Sequence, residues 1–151
     1  MALIIQARLD HAQTLTEIAI SAKRHWKYPE RWMKRWLPAL TISSEYIASH
    51  ETWLAMFHEK PVAWYSLAQD EAGLWLDNLW VLPDFMGRGS GQSLFRHALE
   101  RCQFREAKVL KMEADPNAKS FYEKMGAKQI GEHHGEVDGE PRILPVMEIM
   151  L

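Results

Sequence analysis

The chain has 151 residues, 47% of them hydrophobic and 25% charged, and 18 Lys and Arg against 20 Asp and Glu give a formal net charge of −2. This balance predicts one globular domain over residues 1–151 and disfavours nucleic acid or a membrane surface as partners. The single cysteine, Cys102, excludes an internal disulfide, and the start "MALIIQARLD" lacks the regions of a signal peptide. We therefore expect a cytoplasmic protein, with Cys102 as a packing residue.

Apolar spacing in the first half alternates between strand and helix periods. Leu15, Ile18, Ala19 and Ala22 share one face of a predicted helix. The predicted elements are a strand over 2–9, helices over 10–26, 28–37 and 43–50 (a short one), and an antiparallel meander over 52–59, 62–69 and 73–82, whose first two strands are joined by "KP".

The second half continues with alternating helices and strands. The predicted elements are a helix over 91–102, a strand over 107–114, a helix over 115–126 and strands over 127–134 and 142–151. Pro145 suggests an edge or bulged position for the last strand. The order β-α-α-β-β-β-α-β-α-β-β predicts an α+β (mixed α/β) fold, with a mostly antiparallel mixed sheet of about seven strands and about four flanking helices.

A glycine-rich segment, "VLPDFMGRGSGQSL" over residues 81–94, lies between a predicted strand and a predicted helix. The first turn of a helix has amides without partners and a partial positive charge, so Gly87, Gly89 and Gly91 could cradle a diphosphate, with Arg88 as an additional cation. The segment could equally be a turn that lets helix and strand pack closely. A Walker loop is excluded because Gln92 stands where that pattern requires Lys, and a dinucleotide fingerprint does not follow three antiparallel strands.

Two motifs at the right separation resemble those of the GNAT superfamily of acyl-CoA-dependent N-acyltransferases. "VLPDFMGRGSG" matches V-x-P-x-x-[Q/R]-x-x-G-x-[G/A], although Met86 stands where the family has Gln or Arg. "DPNAKSFYEKMGA" matches N-x-x-A-x-x-[F/L]-Y-x-x-x-G-[F/A], although Asp115 replaces the usual Asn and Asn117 lies two residues further on. The resemblance extends over the whole element order, so it implies the GNAT fold.

The resemblance implies that the loop binds the pyrophosphate of acetyl-CoA or CoA as a cosubstrate. It also implies that the strand before the loop pairs its backbone with the pantetheine arm, like an added strand. The residues that this assigns to cosubstrate binding are Leu79, Trp80, Val81, Met86, Gly87, Arg88, Gly89, Ser90, Gly91, Gln92, Ser93, Asn117 and Phe121.

Acyl transfer from a thioester to an amine requires an acid for the departing sulfur and a base for the amine proton. The resemblance assigns the acid to Tyr122, whose alternative role is that of a core aromatic residue beside Phe121. Some family members have a glutamate near position 75, where this chain has Trp75. Asp77, two residues further on, is the predicted base, with Glu113 as a second candidate and a solvated carboxylate as the alternative for Asp77.

Basic and aromatic residues alternate in "AKRHWKYPERWMKRW", residues 22–36. This composition fits an amphipathic helix pair, less well a surface for single-stranded nucleic acid, and, by resemblance, a positive aromatic border suited to an acidic or aromatic acceptor. Neighbouring histidines such as His133 and His134 point to opposite faces of a strand, so no metal site is expected.

The sequence thus predicts an N-acetyltransferase that moves an acetyl group from acetyl-CoA to a primary amine of a small molecule or peptide by direct attack in a ternary complex. The alternatives are a catalytically weak CoA-binding sensor and, less favoured, a nucleic-acid-binding domain. The acceptor's identity and a homodimer both stay open.

Overall fold

The computed structural model describes residues 3–151. Its strands are β1 (Leu3–Gln6), β2 (Glu51–Phe57), β3 (Lys60–Asp70), β4 (Gly73–Val81), β5 (Val109–Glu113), β6 (Lys128–Val137) and β7 (Glu140–Met150). Its α-helices are α1 (Ala12–Arg24), α2 (Glu30–Leu40), α3 (Ser44–Ser49), α4 (Ser90–Phe104) and α5 (Lys119–Lys124). Short 3-10 helices cover Leu9–His11, Pro83–Phe85 and Pro116–Ala118.

The seven described strands form one sheet in the order β1-β2-β3-β4-β5-β7-β6. β4 and β5 run parallel, and the other neighbouring strands run antiparallel. The parallel ladder has two residue pairs, Leu74 with Leu110 and Trp75 with Lys111. Beyond these pairs β4 continues without a partner on β5, so the sheet opens in its middle.

Apolar cores cover both faces of the sheet because side chains alternate along each strand. On one face α4 and α5 pack through residues such as Phe95 and Tyr122. On the other face α1, α2 and α3 pack around the fully buried Trp64, whose indole N–H donates to the Leu15 carbonyl at 2.9 Å. The opening between β4 and β5 therefore lies between two packed layers.

The predicted fold class and element order are confirmed, and the short helix proposed over 43–50 is α3. The first predicted strand was too long: β1 ends at Gln6, and Ala2 lies outside the described residues. The turn placed at "KP" lies instead at His58 and Glu59, whose positive φ angles of 48° and 66° fit a two-residue hairpin.

Of the two positions predicted for Pro145, the edge is wrong, because β7 lies between β5 and β6 and the edge strand is β6. A bulge does lie beside it: Ile130 is the extra residue of β6 opposite Val146 and Met147. The Pro145 carbonyl accepts from the Ala114 amide at 2.9 Å. The backbone N and the carbonyl of a strand residue point toward the same neighbouring strand. The Pro145 nitrogen, which has no hydrogen to donate, therefore points toward β5 at the position where β5 ends. An interior proline is tolerated there because the ladder with β5 stops at Glu113.

Candidate active site

A cleft of about 530 Å³ occupies the opening between β4 and β5. One wall is the second half of β4, whose backbone over residues 76–81 has no partner on β5 among residues 3–151. The other boundaries are the glycine loop, the end of β5 and the start of α5, with Trp26 from the α1 side. An extended ligand could thus lie along the free backbone of β4 as a borrowed strand does.

The glycine loop leads into the N-terminus of α4, where Gly89 is the capping residue with φ 92°. Gly87 also has a positive φ of 74°. L-residues rarely adopt this conformation, so both positions require glycine for their backbone. Gly91 differs, because an added Cβ would lie 3.4 Å from Phe121 Cε1 and 3.6 Å from Val81 Cγ2. These are ordinary van der Waals distances, so two of the glycines are required by the backbone of the loop, whereas the packing around Gly91 leaves room for a Cβ.

Most of the residues predicted to bind the cosubstrate line this cleft. Those that do so are Leu79, Trp80, Val81, Met86, Gly87, Gly89, Gly91, Gln92, Asn117 and Phe121. Leu79 and Val81 direct side chains into the core beneath α4, and Trp80 packs with the opposite layer, so their backbone remains available while their side chains hold the fold.

Arg88, Ser90 and Ser93 lie outside the cleft lining. The Arg88 guanidinium lies 4.6 Å from the centroid of the Phe85 ring and donates to the Asp84 carbonyl at 3.3 Å. Ser90 is the buried first residue of α4, and the Ser93 amide already donates to the Gly89 carbonyl at 3.0 Å. The Ser93 amide is therefore committed to the helix, so it is not free to bind a ligand.

Tyr122 lies at the inner wall of the cleft with 7% of its surface exposed. Its ring packs against Phe95 and Phe121, with centroid distances of 5.8 and 5.3 Å. Burial, followed by the charge of Asp115, raises the pKa of the Tyr122 phenol, so it stays protonated at neutral pH. Its hydroxyl has no hydrogen-bond partner among the described residues, which leaves its proton available to a ligand.

Asp77 lines the cleft from β4, at a bulge that the sequence did not predict. Ser66 of β3 pairs with Asn78 and Leu67 pairs with Leu76, so Asp77 is the extra residue of β4. Bulges of this kind redirect side chains and occur next to active sites. The Tyr46 hydroxyl of α3 donates a short hydrogen bond to the Asp77 carboxylate.

Glu113, the second candidate for the base, also lines the cleft, at the end of β5. It is partly exposed, and its carboxylate lies 3.3 Å from Nδ1 of His133. Asp77 and Glu113, the two candidates for the base in the sequence, are thus the two exposed carboxylates that line the cleft.

A buried charged cluster around Asp115 borders the same cleft and was not predicted. Its carboxylate accepts from Lys23 at 2.9 Å, Arg142 at 3.1 Å and the Tyr28 hydroxyl at 3.0 Å. The Asn117 backbone amide and side-chain amide donate to it at 2.9 and 3.0 Å. Burial alone would raise the pKa of Asp115, but the charge of Lys23 and these hydrogen bonds outweigh it and hold the pKa below its ordinary value. Asp115 is therefore a structural anion and a poor base.

The basic and aromatic stretch over residues 22–36 is largely neutralised by its neighbours. Arg24 pairs with Glu30, Arg31 lies 2.8 Å from Glu140, and Arg35 lies 3.3 Å from Asp138. The first pair joins the end of α1 to the start of α2, and the other two join α2 to the hairpin between β6 and β7. They also leave little free positive charge for nucleic acid, which supports the amphipathic interpretation of the stretch.

Within residues 3–151, no group of three or more His, Cys, Asp or Glu side chains is arranged to hold a metal ion. None of the helices in this part of the chain is long and apolar enough to cross a membrane.

Residues 13–127 match the family model of the acetyltransferase (GNAT) family. The chain therefore belongs to the GNAT family and is an acetyltransferase. This family assignment agrees with the resemblance of the two sequence motifs. Among curated proteins, none matches the sequence at a significant level.

Solved structures share the fold over the whole chain. A GCN5-related N-acetyltransferase from Rhodopseudomonas palustris is similar with a TM-score of 0.84 and 23% identity, covering 100% of this chain and 96% of that one. The PaiA N-acetyltransferase from Thermoplasma acidophilum, solved in complex with coenzyme A, has a TM-score of 0.81 and 17% identity, with 100% and 99% covered. The ribosomal-protein-S18-alanine N-acetyltransferase from Escherichia coli has a TM-score of 0.74 and 17% identity, with 99% and 94% covered.

Proposed function

We propose that this chain transfers an acetyl group from acetyl-CoA to a primary amine of a small molecule or an exposed peptide. The observation that carries the proposal is the opening of the sheet beside the N-terminus of α4. There the backbone of residues 79–81, which pairs with β3 but has no partner on β5, can pair with the pantetheine amides, while amides of residues 87–92 would bind the pyrophosphate. Met86 contributes no charge, so the backbone supplies the recognition.

The acetyl group would then lie at the inner wall of the cleft, between Tyr122 and Asp77. The neutral amine nitrogen attacks the thioester carbonyl carbon, and a C–N bond forms as the oxygen becomes an oxyanion. When the C–S bond breaks, its electron pair goes to sulfur, and the Tyr122 hydroxyl donates its proton to that sulfur. Asp77 takes the proton that the amine loses, so the products are the amide and coenzyme A thiol. Asp77 then releases its proton to solvent and Tyr122 takes one up, which restores both residues.

The testing experiment has two parts. Calorimetry with coenzyme A measures binding, and detection of free thiol during incubation of acetyl-CoA with a panel of amines, amino acids and peptides measures transfer. We expect binding together with thiol release that depends on one class of amine. Absence of binding would overturn the proposal.

Coenzyme A binding without thiol release from any amine would favour the second candidate, a CoA-binding sensor that has kept the fold and lost the chemistry. Met86, in place of the family's polar residue, and Trp75, in place of a strand glutamate, are the departures that favour it. A sensor would bind acetyl-CoA and coenzyme A through the same cleft, so calorimetry alone does not separate the two functions.

A further inference from the structure

A hydrogen-bonded network surrounds Asp77 and joins α3, β3 and β4. The Tyr46 hydroxyl contacts the Asp77 carboxylate and lies 2.8 Å from the Ser66 hydroxyl. The side-chain amide of Asn78 donates to both hydroxyl oxygens, at 3.1 Å to Tyr46 and 3.0 Å to Ser66. The Asn78 carbonyl oxygen accepts from the indole N–H of Trp80 at 2.8 Å.

The direction of each hydrogen bond follows from these contacts. Because the Trp80 indole can only donate, the Asn78 oxygen faces Trp80 and its NH₂ faces Tyr46 and Ser66. A carboxylate can only accept, so the Tyr46 proton is directed at Asp77, and the Ser66 hydroxyl donates to Tyr46. Every donor in the network then has an acceptor, which leaves a single arrangement of the protons.

Tyr46 is suited to remain a donor. Burial, followed by the hydrogen bond to Asp77, raises the pKa of Tyr46, so the phenol keeps its proton across the pH range of ordinary assays. Its ring stacks on His50, with centroids 3.9 Å apart and an angle of 11° between the planes. The stacking and the network together fix the position of the hydroxyl.

The bulge explains why the network reaches the cleft. Without the extra residue in β4, the side chains of positions 77 and 78 would point to opposite faces of the sheet. The register change between Ser66 and Leu67 instead allows Asp77 and Asn78 both to contact Tyr46. Asp77 still lines the cleft, where Glu113 and Asp115 are the other acidic residues.

We propose that Tyr46 is a positioning residue that holds the Asp77 carboxylate toward the attacking amine. The proposal rests on the proposed function, in which Asp77 receives the proton of the amine. Tyr46 itself does not line the cleft, so it acts through Asp77.

The test compares the pH dependence of acetylation of the best amine of the panel by the wild type and by Tyr46→Phe, Asp77→Asn and Tyr65→Phe. For Tyr46→Phe we expect kcat to fall about tenfold, as the loss of one hydrogen bond to a charged group implies. The KM for acetyl-CoA should stay unchanged. The acidic limb of kcat/KM for the amine should move to higher pH, because a carboxylate with fewer donors holds its proton more tightly.

Tyr65→Phe is the matched control. Tyr65 is a buried tyrosine of β3 whose hydroxyl contacts His97 of α4 at 2.7 Å, away from the cleft lining. Its loss should leave kcat and the pH profile as in the wild type. A purely structural effect of removing a tyrosine hydroxyl would instead appear in both variants.

The outcomes separate the two proposals. If Asp77→Asn loses activity while Tyr46→Phe keeps the kcat and acidic limb of the wild type, the role of Tyr46 is overturned and the proposed acetyl transfer stands. If Asp77→Asn keeps both, the roles of Asp77 and Tyr46 are overturned together, whereas thiol release still supports acetyl transfer. If Tyr46→Phe does not fold, Ser66→Ala is the substitute, because it removes the hydroxyl that donates to Tyr46. It should move the acidic limb of kcat/KM to higher pH as well. An unchanged acidic limb in Ser66→Ala would also overturn the positioning role of Tyr46.

Discussion

Tyr122 shows how one side chain can serve both packing and chemistry. Its ring is buried between Phe95 and Phe121, as the core hypothesis requires, while the residue also borders the cleft. The hydroxyl makes no hydrogen bond to the described residues. Because Tyr122 lines the cleft, a ligand there can accept this hydrogen bond, which is compatible with the role at the leaving sulfur that the family resemblance implies.

We predict that Tyr122→Phe lowers kcat by about 10²-fold or more, the lower range for loss of a general acid. Calorimetry should show unchanged affinity for acetyl-CoA, because backbone groups hold the cosubstrate in the proposed complex. The melting temperature should not fall, since no internal hydrogen bond is lost. A variant with the kcat of the wild type would show that Tyr122 is a packing residue alone.

At the scale of elements, the loop between β4 and α4 combines backbone conformation with helix polarity. Gly87 and Gly89 adopt positive φ, and the loop ends where the first amides of α4 have no carbonyl partner. The same segment packs through Gly91 against Phe121. The proposed anion site and the contact between α4 and α5 thus belong to the same junction of elements.

Replacing Gly89 by Ala tests this junction. Alanine at a φ of 92° introduces strain of about 1–2 kcal/mol, which the loop relieves by moving. We expect coenzyme A to bind about tenfold more weakly in calorimetry, the loss that such an energy implies. Gly131→Ala is the control, because Gly131 lies on exposed β6 with open space around it and no positive φ. Equal affinities for the two variants would contradict an amide-based site.

At the scale of the whole molecule, the Asp115 cluster connects segments that are distant in sequence. Lys23 lies on α1, Tyr28 follows it before α2, Asp115 lies between β5 and α5, and Arg142 lies on β7. The side chains of Lys23, Asp115 and Arg142 are 11%, 13% and 13% exposed. The buried Asp115 carboxylate thus neutralises cations from both halves of the chain, Lys23 and Arg142. The Lys23 ammonium also lies 4.1 Å from the centroid of the Trp36 ring, a cation–π contact.

We predict that Asp115→Asn lowers the free energy of unfolding by roughly 3–5 kcal/mol, because it leaves two buried cations without a counter-charge. Since the folded pKa of Asp115 lies below its ordinary value of 3.8, its contribution is complete above that value and is lost as pH falls through the folded pKa. Urea unfolding of the wild type and the variant at pH 7 and pH 3 should therefore show a smaller difference at the lower pH. Asp10→Asn, which removes an exposed pair with Arg8, should change stability by about 0.5 kcal/mol or less; an equally small effect for Asp115→Asn would contradict the prediction.

Much of this architecture could be read from local patterns. Helical spacing of Leu15, Ile18 and Ala22 predicted the buried face of α1, and all three residues are buried. The glycine loop and the Tyr122 motif were visible because their residues are close in sequence. The edge prediction for Pro145 was wrong because a missing N–H shows only that the residue cannot donate a ladder hydrogen bond on one side of its strand. It does not show whether that side faces solvent or, as here, the end of a neighbouring strand.

By itself, the sequence determined the order of helices and strands, the fold class and the family, since periodicity and short motifs are local properties of the chain. Only the tertiary structure decided which side chains meet at the cleft. Asp77 reaches Tyr46 across 31 residues and Asp115 reaches Lys23 across 92. Such contacts depend on a one-residue bulge and on the packing of layers, and neither leaves a pattern along the chain, because long-range register is set by the folded sheet as a whole.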